Sequence, residues 1–363
     1  MKIAVFANTP AQLHFYIKTI EKLRAHGHEV RLLLRDYGET IDLANELHLA
    51  YFVYSRTAAS KMSKIVLLPR DVVVAYRHLR KFRPDVVTGC GVYDAFTAAL
   101  LNAYSIEFED SEPRVNLLSY SIQLKVSMSL VDAVVTPSSF MDNLGEKQIR
   151  ISSFKELAYL HPNYYIPNDD IFGLLGVRRN DDYVLLRFNA FDAVHDFRVT
   201  GFRPEDKIRL VRELEKYAKV FISSEADLPD EIEDRVVKIP KSRIHDVIYY
   251  AKMLVTDTQT MATEAAVLGT PTVRFNSFVG ENDMGNFIEL ERKYGLIFNY
   301  NDSNKAIERA IQLVAQPNLK KEWLAKRDNM LRDKTDATEF MVSFIEEFPE
   351  SYASMKAGQQ RVG

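Results

Sequence analysis

The stretch of this chain best equipped for chemistry is Thr256-Asp257-Thr258-Gln259-Thr260-Met261-Ala262-Thr263-Glu264, running on through Leu268-Gly269-Thr270-Pro271. A short apolar run ends in small hydroxyl residues, a helix begins, and Glu264 falls within its first turns. Backbone N–H groups and hydroxyls at such a helix start suit a diphosphate. A carboxylate one turn further in can accept both hydroxyls of a ribose. The same residues also make an ordinary helix start, with Asp257 or Thr258 as N-cap and Glu264 complementing the helix dipole. Arg187-Phe188-Asn189 closes another apolar run. The planar guanidinium of Arg187 can neutralise a diphosphate or form a surface ion pair. His195, beside Asp196, could serve as a leaving-group acid, as a sugar ligand, or in packing alone.

A second group of acid–base candidates lies nearer the start of the chain. Asp110 and Glu112 follow an apolar run, so one could take a proton from a hydroxyl while the other orients it. They could equally cap the helix expected near Arg114. His14, just after the Asn8-Thr9-Pro10 turn, is an alternative base. Lys155 and His161 fall in a motif whose simplest role is to hold two domains together. Gly89-Cys90-Gly91 is too short for a dinucleotide fingerprint, and no Walker A sequence occurs. Asp169-Asp170 and Asp181-Asp182 fall in turns and predict no metal site.

The elements that must position these residues alternate. Met1–Ala7 predicts a buried strand, Gln12–His26 a helix with apolar Leu13, Tyr16, Ile20 and Leu23, and Glu29–Leu34 a second strand. Strands follow at Asp85–Thr88, Ser105–Phe108 and Ala133–Thr136. The turn-rich stretch from His161-Pro162-Asn163 to Asp169-Asp170 predicts a linker. Alternation then restarts with strands at Tyr183–Arg187, Val220–Ser223, Val236–Ile239, Met253–Thr256 and Thr272–Phe275. Helices are expected at Pro204–Tyr217, Ser242–Tyr250, Met261–Leu268, Asn304–Val314 and Asn318–Phe348. Alternating strands and helices imply parallel sheets covered on both faces. Ligands of such sheets sit beyond the carboxyl ends of the strands, which directs attention to Asn8–His14, Gly89–Asp94, Arg187–His195 and Asp257–Glu264.

The expected organisation is an α/β chain of two Rossmann-like, doubly wound domains facing a central cleft. The first spans 1–165, with a helix near 335–350 packing back on it. The second spans 166–334, and 351–363 is expected to fray. The chain has 363 residues and a formal net charge of -3, long enough for two domains and without the basic field that duplex nucleic acid requires. The single cysteine, Cys90, excludes an internal disulfide and a multi-cysteine zinc site. Neither a signal peptide nor a run of about twenty apolar residues is present, so a cytoplasmic location is expected. Between Arg56 and Arg83 stand Lys61, Lys64, Arg70, Arg77, Arg80 and Lys81, with Asp71 the only acid. Interleaved with apolar Ile65–Leu68 and Val72–Val74, they make either a solvated helix face or a peripheral contact with the inner face of an anionic membrane.

The Glu-Ala…Leu-Gly-x-Pro helix resembles the nucleotide-sugar signature of the UDP-GlcNAc 2-epimerases and MurG-type glycosyltransferases, although a bulkier Thr-Gln-Thr replaces the epimerases' Ser-Gly-Gly turn. Phe108-Glu109-Asp110-Ser111-Glu112, Lys155-Glu156-Leu157-Ala158-Tyr159-Leu160-His161-Pro162, Leu186–Phe191, Val194-His195-Asp196 and Met284-Gly285-Asn286-Phe287 together resemble the DUF354 family, over nearly the whole chain. The resemblance implies a GT-B architecture and metal-independent transfer of a sugar from a UDP-type donor to a glycan or lipid-linked acceptor, with no cofactor. It implies that Glu264 binds ribose and that Thr258, Gln259 and Thr260 line the phosphates. Arg187, Asn189, Asp257, Gly285 and Asn286 complete the expected donor site, and Asp110, Glu112, His14 and His195 are the candidate catalysts. A nucleotide-sugar 2-epimerase and a non-catalytic nucleotide-sugar binder are the alternatives.

Overall fold

The computed structural model describes residues 1–56, 61–112, 126–189, 201–225, 227–276, 279–280 and 283–360. The chain divides into two compact units, Met1–Tyr164 with Thr335–Gly363, and Tyr165–Lys334.

The first unit is built on seven strands: β1 (Lys2–Ala7), β2 (Glu29–Asp36), β3 (Phe52–Arg56), β4 (Val86–Gly89), β5 (Tyr104–Phe108), β6 (Ala133–Pro137) and β7 (Gln148–Ile151). They lie in the order β3-β2-β1-β4-β5-β6-β7, and every neighbouring pair is parallel. Ile3 to Ala7 are fully buried, as a strand covered by helices on both faces must be. The helix Pro10–Ala25 starts with Thr9 as N-cap, whose hydroxyl accepts the Gln12 N–H, and with proline in its first turn, the arrangement that best satisfies a helix start. The chain reverses direction across the sheet between β1 and β4, and the loops beyond these strands carry Asn8 and Gly89–Asp94.

The second unit has five strands: β8 (Tyr183–Phe188), β9 (Lys219–Ser224), β10 (Met253–Thr256), β11 (Thr272–Phe275) and β12 (Ile297–Tyr300). Their order is β12-β11-β10-β8-β9, again parallel throughout. Here the reversal lies between β8 and β10, which places Arg187 and Thr256 side by side in register. The helix Thr260–Val267 ends at Leu268. Gly269 then takes φ +71°, so its N–H and that of Thr270 fold back onto Ala266 and Ala265. A Cβ there would stand 3.0 Å from Leu324, which explains why a glycine precedes Thr270-Pro271.

Several expectations are corrected. The strand placed at Val236–Ile239 reduces to one bridge, Ile222 with Val236, because a 3-10 helix, Asp230–Arg235, ends against it and Pro240 follows. Strands β3, β7 and β12 were not expected. They lie at the sheet edges and mix polar residues into the apolar run, so the buried-strand pattern is weak. The long helix expected over Asn318–Phe348 is two, Leu319–Asp333 and Ala337–Glu346, broken where Asp336 caps the second through the Glu339 N–H. The frayed tail is instead a helix, Glu350–Gln360. It is tied down by Tyr352 to the Glu146 carbonyl, Lys356 to the Gln148 carbonyl and Gln359 to the Arg150 carbonyl.

Candidate functional site

In the second unit Arg187, Asn189 and Asp257 lie together at the carboxyl ends of the neighbouring strands β8 and β10. Asp257, just past β10, is 1% exposed and accepts the backbone N–H of Asn189 at 2.8 Å and of Phe202 at 3.4 Å. Its own carbonyl accepts from the Asn276 side chain at 3.2 Å. One carboxylate thus ties together the loops that follow β8 and β10 and precede the helix Pro204–Leu214. Burial pushes Asp257 up to about 7, against the pull of the Asn189 N–H and of Lys207. Asp257 therefore braces the site and does not cap the helix. The N-cap of Thr260–Val267 is Gln259, with no side-chain hydrogen bond.

Thr258 is engaged locally. Its N–H donates to the Thr256 hydroxyl at 2.9 Å, and the two hydroxyls lie 2.8 Å apart. Gln259, Thr260 and Met261 are half-buried at the uncapped helix start, where N–H groups lack intrahelical partners. Glu264 stands in the second turn, 5% exposed, and its Oε1 meets His245 Nε2 at 3.1 Å. Arg187 donates from Nη1 to the Ser223 hydroxyl at 2.8 Å and pairs through Nη2 with Glu225. Its buried Nε has no partner among the described residues. The alternative of an ion pair for Arg187 is thus the one observed.

Gly285 and Asn286 open the helix Gly285–Arg292, and the Asn286 side chain accepts its neighbour Phe287's N–H. Beneath them Arg274, fully buried, makes a two-point pair with Asp283 at 2.7 and 3.3 Å and stacks 3.6 Å above the Phe287 ring. Asp283 in turn accepts the Met284 N–H at 2.9 Å. His195 and its neighbours Val194 and Asp196 lie outside the described residues.

The first unit treats its candidates differently. Glu112 is 1% exposed and accepts the Met141 N–H at 3.2 Å. Its carboxylate supports the loop at Met141. Asp110 pairs with Lys155 at 2.5 Å, and both line a cavity of ≈ 30 Å³ with Glu109, Thr136 and Ser153 over Phe15, Phe108 and Phe154. Burial opposes the charge of Lys155, but Asp110 and Glu156 outweigh it and push the amine up. Lys155 is therefore an ion-pair partner of Asp110. His161 approaches Asp336 at 3.8 Å, where the Asn163 side chain and the Tyr164 hydroxyl also converge, all within the first unit. His14 stacks on Tyr159 at 5.3 Å.

Two acids in this unit carry no sequence signal strong enough to stand out. Asp94, in the first turn of the helix Val92–Leu101, and Glu107, on β5, are both 0% exposed. None of their four carboxyl oxygens makes a well-formed hydrogen bond among the described residues. The Asp94 carboxylate fills the space over Gly89, where a Cβ would come within 2.5 Å of its Oδ2. Gly89 is the register partner of Glu107. Burial raises both carboxyls, and each also feels the other or Glu109. Among the described residues, no group of three or more His, Cys, Asp or Glu is placed to hold a metal ion.

The basic stretch is exposed at Arg56, Arg70, Arg77, Arg80, Lys81 and Arg83, while Val72 is buried and Val73 is 40% exposed. Among the described residues no helix is long and apolar enough to cross a membrane.

The profile of the family described as "Protein of unknown function (DUF354)" matches residues 2–348. The chain belongs to that family. No curated protein matches its sequence. Solved structures do match. The S. aureus MnaA–UDP co-structure is 12% identical with a TM-score of 0.68, covering 96% of this chain and 97% of that one. The UDP-GlcNAc 2-epimerase from Neisseria meningitidis, bound to UDP-GlcNAc, is 12% identical with a TM-score of 0.65, covering 96% and 100%. The glycosyltransferase VinC in complex with DTDP is 13% identical with a TM-score of 0.60, covering 95% and 99%. At such identities the likeness is one of fold, and this DUF354 chain has the GT-B fold shared by glycosyltransferases and UDP-GlcNAc 2-epimerases.

Proposed function

We propose that this protein is a glycosyltransferase that takes a sugar from a UDP-type donor and passes it to a glycan or lipid-linked acceptor. The observation that carries the reading is the second unit's helix Thr260–Val267. It begins without a cap at the carboxyl edge of a parallel sheet and carries a buried carboxylate, Glu264, in its second turn. N–H groups of that start bind the diphosphate, and Glu264 accepts the ribose hydroxyls. Arg187, released from Glu225, adds its guanidinium to the phosphates. The same groups stabilise the charge that develops on the leaving diphosphate, the electrostatic term that is usually largest in catalysis.

The first unit supplies acceptor chemistry in this reading. Asp110, beside the cationic Lys155 at the cavity wall, takes the acceptor's hydroxyl proton. The exposed basic side chains from Arg56 to Arg83 approach an anionic lipid-linked acceptor, at the inner face of the membrane. A nucleotide-sugar 2-epimerase is the second reading, because the UDP-GlcNAc 2-epimerase named above has a TM-score of 0.65 against 0.60 for VinC. Incubation with UDP-GlcNAc, followed by NMR, separates them. UDP released only when an acceptor is added supports transfer, and UDP-ManNAc formed without acceptor establishes epimerisation. Binding with no product under either condition leaves a non-catalytic binder and sinks both enzymatic readings.

A further inference from the structure

The second unit contains a buried acid–base contact that the nucleotide reading leaves unexplained. His245 and Glu264 come from different helices, Ile244–Tyr250 and Thr260–Val267, and their side chains are 8% and 7% exposed. Nε2 of the histidine lies 3.1 Å from Oε1 of the glutamate. The histidine itself is held by its surroundings. Next to it, Asp246 receives the Tyr165 hydroxyl at 2.7 Å, the Asn168 N–H at 3.0 Å and Arg243 Nε at 2.7 Å. These bonds fix the first turn of the His245 helix, and the Tyr165 ring meets the imidazole edge-on at 6.3 Å. A chain of contacts therefore runs from Tyr165–Asn168, through Asp246 and its helix, to the Glu264 carboxylate.

We propose that His245 is a positioning residue for ribose recognition: by holding Oε1 of Glu264 it sets the carboxylate to receive the vicinal diol of a ribonucleotide. The inference rests on the nucleotide reading of this site and deepens it. A glutamate has three rotatable side-chain bonds, and ordering it on binding would draw on the binding energy. Fixed beforehand by His245, it keeps acceptor capacity for two hydroxyls, since an ionised carboxylate offers about four lone-pair sites. A ligand without the 2′-hydroxyl leaves one of these sites unpaired in a buried place, so the protein distinguishes UDP from 2′-deoxy-UDP.

Calorimetric titration of both nucleotides into wild type, Glu264→Ala, His245→Ala, His245→Gln and His245→Asn tests this. In wild type UDP binds more tightly than 2′-deoxy-UDP. His245→Ala should lose about tenfold in UDP affinity, the size of one good charge-assisted hydrogen bond, and most of the preference for UDP. Glutamine brings an amide N–H to the position of Nε2 and should restore the preference, whereas the shorter asparagine should not. If His245→Ala does not fold, the glutamine and asparagine variants decide by the same difference. The proposal fails if His245→Ala keeps the preference, or if glutamine and asparagine behave alike. A Glu264→Ala variant that binds UDP like wild type would instead overturn the nucleotide reading beneath it, while loss in Glu264→Ala alone overturns only the role of His245.

Discussion

The two units differ in how particular buried carboxylates are satisfied. In the second, each buried acid of the candidate site has a defined partner. Asp257 holds two backbone N–H groups, Glu264 meets His245, and Asp283 is locked to Arg274. In the first, Asp94 and Glu107 are equally buried and make no well-formed hydrogen bond among the described residues. A satisfied carboxylate in a dry place is a fixed acceptor, suited to holding a ligand that supplies donors. An unsatisfied one keeps a proton and destabilises the fold around it. The first unit therefore keeps two buried carboxylates unsatisfied, and such groups are where acid–base function is to be sought.

The same kind of substitution should act in opposite directions in the two units. Asp283→Ala leaves the buried Arg274 guanidinium without its carboxylate, and should destabilise by about 3–5 kcal/mol in denaturant unfolding. A loss below about 1 kcal/mol would mean that the pair contributes little. Gly89→Ala drives a Cβ into the Asp94 carboxylate and should lose about 1–3 kcal/mol. Combining it with Asp94→Ala should recover part of that loss, and strict additivity of the two would show that the contact is not the cause.

Asp94→Asn should stabilise at neutral pH, on the order of 1 kcal/mol. Folding raises the carboxyl's pKa above its unfolded value of about 3.9, so the folded state retains a proton that the unfolded chain has lost. The penalty grows as pH rises from that value and vanishes below it. Thermal melts at pH 4.5 and 7.5 should therefore show a larger advantage of the variant at the higher pH. Equal melting temperatures at both would contradict the assignment.

The smallest effect belongs to the helix Ala337–Glu346. Glu346 accepts from His26 and His28 at 2.7 and 2.8 Å, and these contacts hold its carboxyl below the usual range against the opposing effect of burial. Its contribution is present above the unfolded pKa and is lost as pH falls through the lowered folded value. Glu346→Gln should lose below about 1 kcal/mol at pH 6 and nothing in strong acid. A deficit that persists in acid would assign the loss to packing.

The sheets were readable in the sequence because parallel strands covered on both faces are near-continuous apolar runs, as Ile3–Ala7 and Met253–Thr256 are. Three of the four edge strands were not, because β3, β7 and β12 interrupt that pattern with Ser55, Arg150 and Asn299. In the site, the loop after β10 and Glu264 were visible from their place between a strand and a helix. The partners were not. His245 lies 19 positions from Glu264, and nothing in the spacing of Lys241-Ser242-Arg243-Ile244-His245 points toward it. Asp94 and Glu107 were hidden for a related reason. Each looks like an ordinary polar residue until the sheet brings Gly89 beside Glu107 and the helix lays Asp94 over the glycine. The bond from the Met141 N–H to Glu112 was hidden too, since the spacing of Glu112 from Asp110 says nothing of a loop 29 positions away.

The central claim, that the second unit holds the nucleotide through Glu264, is tested most directly by calorimetric titration of UDP into wild type and Glu264→Ala, with thermal melts confirming that both are folded. The account predicts that the folded variant loses at least about tenfold in affinity. A folded Glu264→Ala protein that binds UDP as tightly as wild type would contradict it.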